Sequence, residues 1–397
     1  RTAFSQNHSL SMSGGNKLAT YRTSLGFSQN NNTAKGNNKT QYTFSTNVSF
    51  RLWEKVTLNT MIAASVSKTK AFLGLDPYSF ATSTNRALPA YNEDGTRYFY
   101  AHERNGYLYN AENELENSGN ENKMTTLNTS FNLRWNIFRY LTLNTMFGFS
   151  ASHTNGESWY TERSNYIAEI RRYDYDAYEE GSPEYEDSVL PMGGELNEMR
   201  NNNQSWSLRN QLEFNKVFNE VHSVTAMVGQ ELRSSSTDGT KRRTYGYLPD
   251  RGKIVVNVPD IVNDKINPYL RSTPSIIDTK SNNVSFYTTL SYMYDNRYAI
   301  NASVRMDASN RFGQDKSTRF LPIYALGARW NVGSEHWLEG QDILSDMSLR
   351  FSFGYQGNAV ESVSPYLIAT ITTTNTGYNL QLKDLPAPDL KWEKVSN

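Results

Sequence analysis

The sequence predicts an all-β fold, and more narrowly a transmembrane antiparallel β-barrel present in part, with long extracellular loops. The first observation is alternation. Tyr298, Ile300, Ala302, Val304 and Met306 interleave with Ala299, Asn301, Ser303, Arg305 and Asp307, the period-two pattern of a strand with one apolar face. The second is length: the alternating runs last roughly 9 to 13 residues, whereas a strand tilted across an apolar band of about 25 Å needs roughly 10 and globular strands average about 5 to 6. The third is asymmetry. About twelve to fourteen such runs are joined by short turns at one end and long polar stretches at the other, the signature of ends lying on opposite sides of a membrane.

Taken in order, His8, Leu10 and Met12 alternate with serines up to a Gly14-Gly15-Asn16 turn, and Tyr21, Thr23, Leu25 and Phe27 return. After a polar loop over 29–39, Tyr42 to Phe50 and Val56 to Val66 form a pair around Leu52-Trp53-Glu54-Lys55. Leu127 to Trp135 turns through Ile137 to Arg139 into Leu141 to Phe149, Trp206 to Phe214 turns near Phe218-Asn219-Glu220 into His222 to Val228, and Val284 to Tyr294 turns at Asp295-Asn296-Arg297 into Tyr298 to Met306. Strands follow through Trp330, over Ser348 to Tyr355, over Tyr366 to Thr373, and from near Leu390. Residues 1–397 therefore make one partial barrel domain with long loops at about 68–122, 154–203 and 235–281. One face of the strands carries Arg22, Asn47, Asn59, Asn128, Arg134, Asn144, Arg209, Glu213, Asn301, Arg305 and Arg350. A charge at the lipid midplane costs about 2 to 4 kcal/mol, so this face is predicted to line a wet or protein-filled lumen. Phe50, Trp53, Trp135, Phe138, Tyr140, Phe218, Tyr294 and Tyr298, all beside short turns, are predicted to form an aromatic girdle.

Composition removes several function classes. The 397 residues carry 40 basic and 40 acidic side chains, so net charge gives no reason to expect nucleic acid as a partner. Cysteine is absent and the five histidines (His8, His102, His153, His222, His336) are scattered, which excludes thiol nucleophiles, disulfides and cysteine-ligated zinc. Mean hydropathy is −0.67, with no run of about 18 apolar residues to cross a bilayer as a helix. Ser152-His153 and His222-Ser223 are sequence neighbours, which on a strand puts them on opposite faces and argues against hydrolase chemistry. The chain reads as a piece of a longer one, beginning no earlier than a barrel's second strand and unable to close alone.

The ordered motifs of the later half resemble the late-barrel signature of the SusC/RagA family of TonB-dependent outer-membrane transporters. They are Arg305, Asp307, Ser309, Phe312 and Gly313; Phe320 and Pro322; Arg329, Trp330 and Glu335; and Leu349, Arg350, Ser352, Gly354, Gly357 and Asn358. His8 to Asn16 is similar to the family's early-barrel segment, and Asp389-Leu390-Lys391-Trp392-Glu393 to its Leu-Lys-Trp-Glu motif, with Ala387-Pro388-Asp389 where Asn-Pro-x is usual. Ile323-Tyr324 and Gln356 depart from the usual residues. The resemblance implies a plugged 22-stranded barrel in the outer membrane, a TonB-contacting segment and plug preceding Arg1, and a SusD-like surface lipoprotein as lid. It also implies import of a glycan or, next, a peptide; a structural or adhesive barrel without transport is the alternative. The motif residues are expected to be structural.

Ligand discrimination is expected in the long loops. Trp159, Tyr160, Tyr173, Tyr175 and Tyr178, with Asp174 and Asp176, offer aromatic faces and carboxylates suited to sugar rings and hydroxyls, although Tyr-rich loops also pack on one another. No cofactor or metal is expected; calcium on the loop acids lacks the spacing of an EF-hand loop. Lys241-Arg242-Arg243 reads as a solvated charge run.

Overall fold

The computed structural model describes residues 2–34, 36–271, 274–310, 320–338, 346–358, 367–374, 377–385 and 393–396. Its wall is a succession of thirteen antiparallel strands, each hydrogen-bonded to the next in chain order. They are β1 (Phe4–Gly15), β2 (Ala19–Asn31), β3 (Asn38–Trp53), β4 (Val56–Ala71), β5 (Ser118–Phe138), β6 (Leu141–Tyr160) and β7 (Gly194–Phe218). The path continues with β8 (His222–Leu248), β9 (Ser275–Tyr294), β10 (Tyr298–Ser309), β11 (Leu321–Asn331), β12 (Ser348–Asn358) and β13 (Glu393–Ser396). Ile254–Val255 adds a short fourteenth strand beside β8. Neighbour-to-neighbour pairing carries the peptide hydrogen bonds from strand to strand along the wall, as a membrane interior demands.

The turns fall where the residues require them. Asn219, Glu220, Asp295 and Asn296 all have positive φ, the left-handed conformation of a two-residue hairpin turn, which Asn and Asp tolerate better than most. Asn16 Oδ1 accepts from the amides of Leu18 and Ala19 at 2.8 and 2.9 Å, closing the first turn.

Strand length departs from the sequence expectation. β7 has 25 residues and β8 has 27, so β8 runs about 80 to 90 Å where a membrane crossing needs about 10 residues. The stretches 68–71, 118–122, 154–160, 194–203, 235–248 and 275–281, expected in loops, are paired strand. Above the membrane neither face needs to be apolar, so hydrophobic alternation fades while the backbone ladder continues. The loop expected over 29–39 shrinks to 32–37 for the same reason. Ile368–Thr374 pairs with a strand the pattern did not reveal, Gly377–Asp384, as a separate hairpin. Phe312, Gly313 and 387–392 lie outside the described residues.

The two faces of the wall divide as expected. Leu10, Val228, Ile300 and Phe351 stand exposed on one side, Val228 at 61%. At the short-turn end, Phe218, His222, Tyr294, Tyr298 and Trp330 follow one another across five strands; the Tyr298 and Trp330 rings stack at 6.4 Å. This is the girdle of amphipathic rings that marks a membrane interface.

Glu335 ties down that rim. It is buried, accepting from Tyr298 Oη at 2.6 Å, Trp330 Nε1 at 2.8 Å and Arg297 Nη1 at 3.2 Å. Those hydrogen bonds, with the Arg297 charge, hold its carboxyl below the ordinary carboxylate range. Elsewhere among the motif residues, Arg305 pairs with Asp307 at 2.8 Å and reaches Ser285 Oγ at 3.1 Å, while Arg329 and Arg350 lie opposite each other. Gly354 leaves no room for a side chain: an added Cβ would meet Ala325 Cβ at 2.9 Å. Pro322 faces Met306, and Gly357 and Asn358 pair with Lys394 and Glu393.

Two outcomes follow from the wall. Val228→Arg should destabilise the barrel by about 2 to 4 kcal/mol, measured by denaturant unfolding in lipid, while Ser235→Arg on the opposite face should cost under about 1 kcal/mol. Glu335→Gln should lower the melting temperature at pH 7. Because a depressed carboxyl pKa stabilises above the unfolded value and ceases to below the folded one, the difference from wild type should vanish on acidification through the carboxylate range.

Candidate functional site

Lipid takes the wall's apolar face, so the densest packing among the described residues lies elsewhere. Ile167, Leu190, Tyr245 and Val258 form a buried cluster, with Tyr160, Tyr166, Ile170 and Tyr269 packed against it. Tyr160, Glu195 and Tyr245 occupy one cross-strand row on the inner face, opposite the apolar side. The segments 161–193 and 249–271 therefore fold inward as a head over the barrel mouth.

Local chemistry builds this head. Asn110 caps α1 (Ala111–Glu116) and Ser164 caps α2 (Asn165–Arg171), each side chain accepting from an amide of the first turn. Glu114 of α1 accepts from the Asn165 amide at 2.8 Å and so joins the two helices; burial pushes its carboxyl up. Arg172, in the left-handed conformation, ends α2. Arg171 is buried with its charge against the rings of Tyr173 and Tyr175, at 5.6 and 5.8 Å, and burial lowers its pKa.

At the junction of head and wall sits Glu195, 2% exposed. Tyr166 Oη donates to it at 3.1 Å, Asn197 Nδ2 at 2.6 Å, and the Arg243 guanidinium lies 3.7 Å away. Burial and this carboxylate push the Tyr245 phenol up to about 12. Below the junction, β5 to β9 border an open cleft of about 460 Å³, lined on the inner face by residues such as Asn120, Ser158, Asn197, Met199, Lys241 and Arg243, with Glu157, Glu198 and Arg242 of the outward positions also at its border.

The sequence-predicted loop residues are distributed differently. Trp159 and Tyr160, successive strand residues, point to opposite faces. Tyr160 stacks on Tyr166 at 4.2 Å, while Trp159 lies over Gly119 and lines a separate cleft of about 370 Å³ with Glu162 and Asp250. Tyr173 is buried edge-on to Tyr178 at 5.2 Å, and Tyr175 lies 5.3 Å from Arg163. Asp174 accepts from the Leu108 amide at 2.7 Å, and Asp176 holds a turn at φ 67°. Most of these groups hold the head together. Among the described residues no group of three or more metal-ligating side chains converges.

What sequence reasoning missed is the inner cleft. Lys241-Arg242-Arg243 lies within β8, so Lys241 and Arg243 face inward with Met199 and Asn197 while Arg242 faces outward with Glu198. Strand alternation carried past the last apolar residue would have found it.

A long, neighbour-paired wall with one lipid face, an aromatic girdle and an inward-folded head defines an outer-membrane β-barrel. No family model matches the chain. It is 25% identical over 402 residues to TonB-dependent receptor P26 of Formosa agariphila, covering 98% of this chain and 37% of that protein. It is 29% identical over 127 residues to TonB-dependent receptor SusC of Bacteroides thetaiotaomicron, covering 30% of this chain and 12% of that protein. The fold matches the RagAB peptide transporter at a TM-score of 0.74 and 20% identity, over 99% of this chain and 41% of that one. The chain thus spans under half the length of these relatives. It is similar to TonB-dependent receptors, SusC among them, and shares the barrel-wall fold of the RagAB transporter.

Removing the stack that seats the head should loosen it without disturbing the wall. Tyr166→Ala is expected to accelerate limited trypsin cleavage at Arg171 and Arg172 several-fold while leaving the barrel melting temperature unchanged.

Proposed function

We propose that this chain forms the wall and the ligand-contacting head of a transporter that imports an oligosaccharide, in preference to a peptide, across the outer membrane. In the whole protein, TonB supplies the energy and a SusD-like surface lipoprotein closes the mouth from outside. The observation that carries this reading is the head itself: its buried cluster lies on the inner side of the mouth, above a cleft whose inward positions carry mainly amide, hydroxyl and cationic groups. An adhesive barrel needs loops that project toward an outside partner; loops packed against the lumenal wall serve a passing ligand.

Asn, Ser and Thr dominate the inner wall of β5 to β9 above the membrane, with few apolar groups such as Met124, Met199 and Ile277. Such a surface suits the hydroxyls of a saccharide better than the apolar side chains of a peptide.

Deleting the gene should abolish growth on at least one glycan in a panel of glycans and peptides supplied as sole nutrient. Normal growth of the mutant on every member would overturn the import reading.

A further inference from the structure

Charge is sorted between the two faces of the upper wall. From the row that joins Asn120, Ser158, Asn197 and Arg243 down to the row of Arg233 and Asn283, no inward position of β5 to β9 is acidic. The acids of the same section, Glu121, Glu157, Glu198, Asp238 and Asp278, all occupy outward positions. Inward cations are present at both heights: Lys241 and Arg243 at the cleft, and Arg233 lower down.

The nearest inward carboxylates at either end are already engaged. Above, buried Glu195 faces Tyr166, Asn197 and Arg243. Below, buried Glu231 pairs with Arg209 at 2.9 Å and with Arg233. Among the described residues Lys241 makes no ion pair, and it stands exposed at the edge of the cleft. A lumen with one sign of charge and low-dielectric walls concentrates ions of the opposite sign.

We propose that the imported saccharide is anionic, bearing carboxylate or sulfate groups, and that Lys241, supported by the amides and hydroxyls of Asn120, Ser158 and Asn197, receives one of those oxyanions beneath the head. This deepens the import reading and rests on it. An unpaired ammonium donates strong charge-assisted hydrogen bonds to an oxyanion, and the acid-free wall below offers no repulsion as the cargo descends. The neutral donors and acceptors of Asn120, Ser158 and Asn197 fit the remaining hydroxyls, while Glu157 and Glu198 border the cleft from outward positions.

The test is calorimetric binding to the full-length transporter in detergent, using tetragalacturonate, neutral cellotetraose and tetraglutamate as probes. Tetragalacturonate should bind roughly tenfold more tightly than cellotetraose, the worth of one charge-assisted contact, and its affinity should fall as NaCl rises from about 50 to about 500 mM. Lys241→Gln should remove most of that advantage, whereas Arg200→Gln, at an outward position of β7 away from the cleft, should leave it intact. Equal binding of the two saccharides, no binding of either, or equal effects of the two substitutions overturns the proposal, and tighter binding of tetraglutamate overturns its saccharide part. Import is judged separately by the deletion strain: loss of growth on neutral glycans alone leaves import standing and removes the anionic cargo.

Discussion

Every peptide N–H and C=O that enters lipid must be paired within the protein, and the structure follows from that requirement. Each strand takes its chain neighbour as partner, so the wall is a series of hairpins. Its side chains then have only two destinations, and composition sorts between them. Leu, Val, Phe and Ile go to the lipid; Asn, Ser, Thr, Arg and Glu go to the lumen. A globular protein would bury its apolar face in a core, but here the lipid replaces that core. Tight packing is left to the head, where Ile167, Leu190, Tyr245 and Val258 meet.

Much of this was legible in the sequence because lipid imposes a pattern on it. The hairpin turns at Asp295-Asn296 and Asn219-Glu220, the lumenal side of Arg209 and Arg305, and the girdle from Phe218 to Tyr298 were readable from period-two alternation and turn chemistry. Legibility ended where the lipid ended. Residues 235–245 are as regularly paired as those below them, yet Ser, Thr, Asp, Lys and Arg occupy both faces, so apolar residues no longer report the ladder. Lys241 and Arg243 looked like part of a solvated run for that reason. The Tyr-rich stretch was legible in composition but not in role: Tyr173 and Tyr175 surround a buried arginine, which only three-dimensional packing can reveal.

The motif residues have a common logic. Trp330 and Tyr298 belong to the girdle and also donate to Glu335, so one carboxylate fixes rings that must lie at the interface. Arg305 and Asp307 satisfy each other on the lumenal side, where an unpaired charge would otherwise await a partner from the barrel interior. A sequence signature shared across such transporters can therefore record how a wall is finished at its edges, without recording what passes through it. Positions such as Lys241 lie above the membrane, where no lipid constrains the choice of residue.

The length of β7 and β8 has a kinetic consequence. Their ladder closes on a two-residue turn, so pairing near that turn joins residues close in sequence, whereas the far rows join residues some 50 positions apart, such as Leu196 and Thr244. Short-range closure is entropically cheap and each further row adds a small increment. The hairpin is thus expected to zip from its turn toward the head, fixing register before the distal rows meet. The head, which needs β6, β7 and β8 aligned at their far ends, would then be the last part of this section to assemble, on a wall whose register is already set.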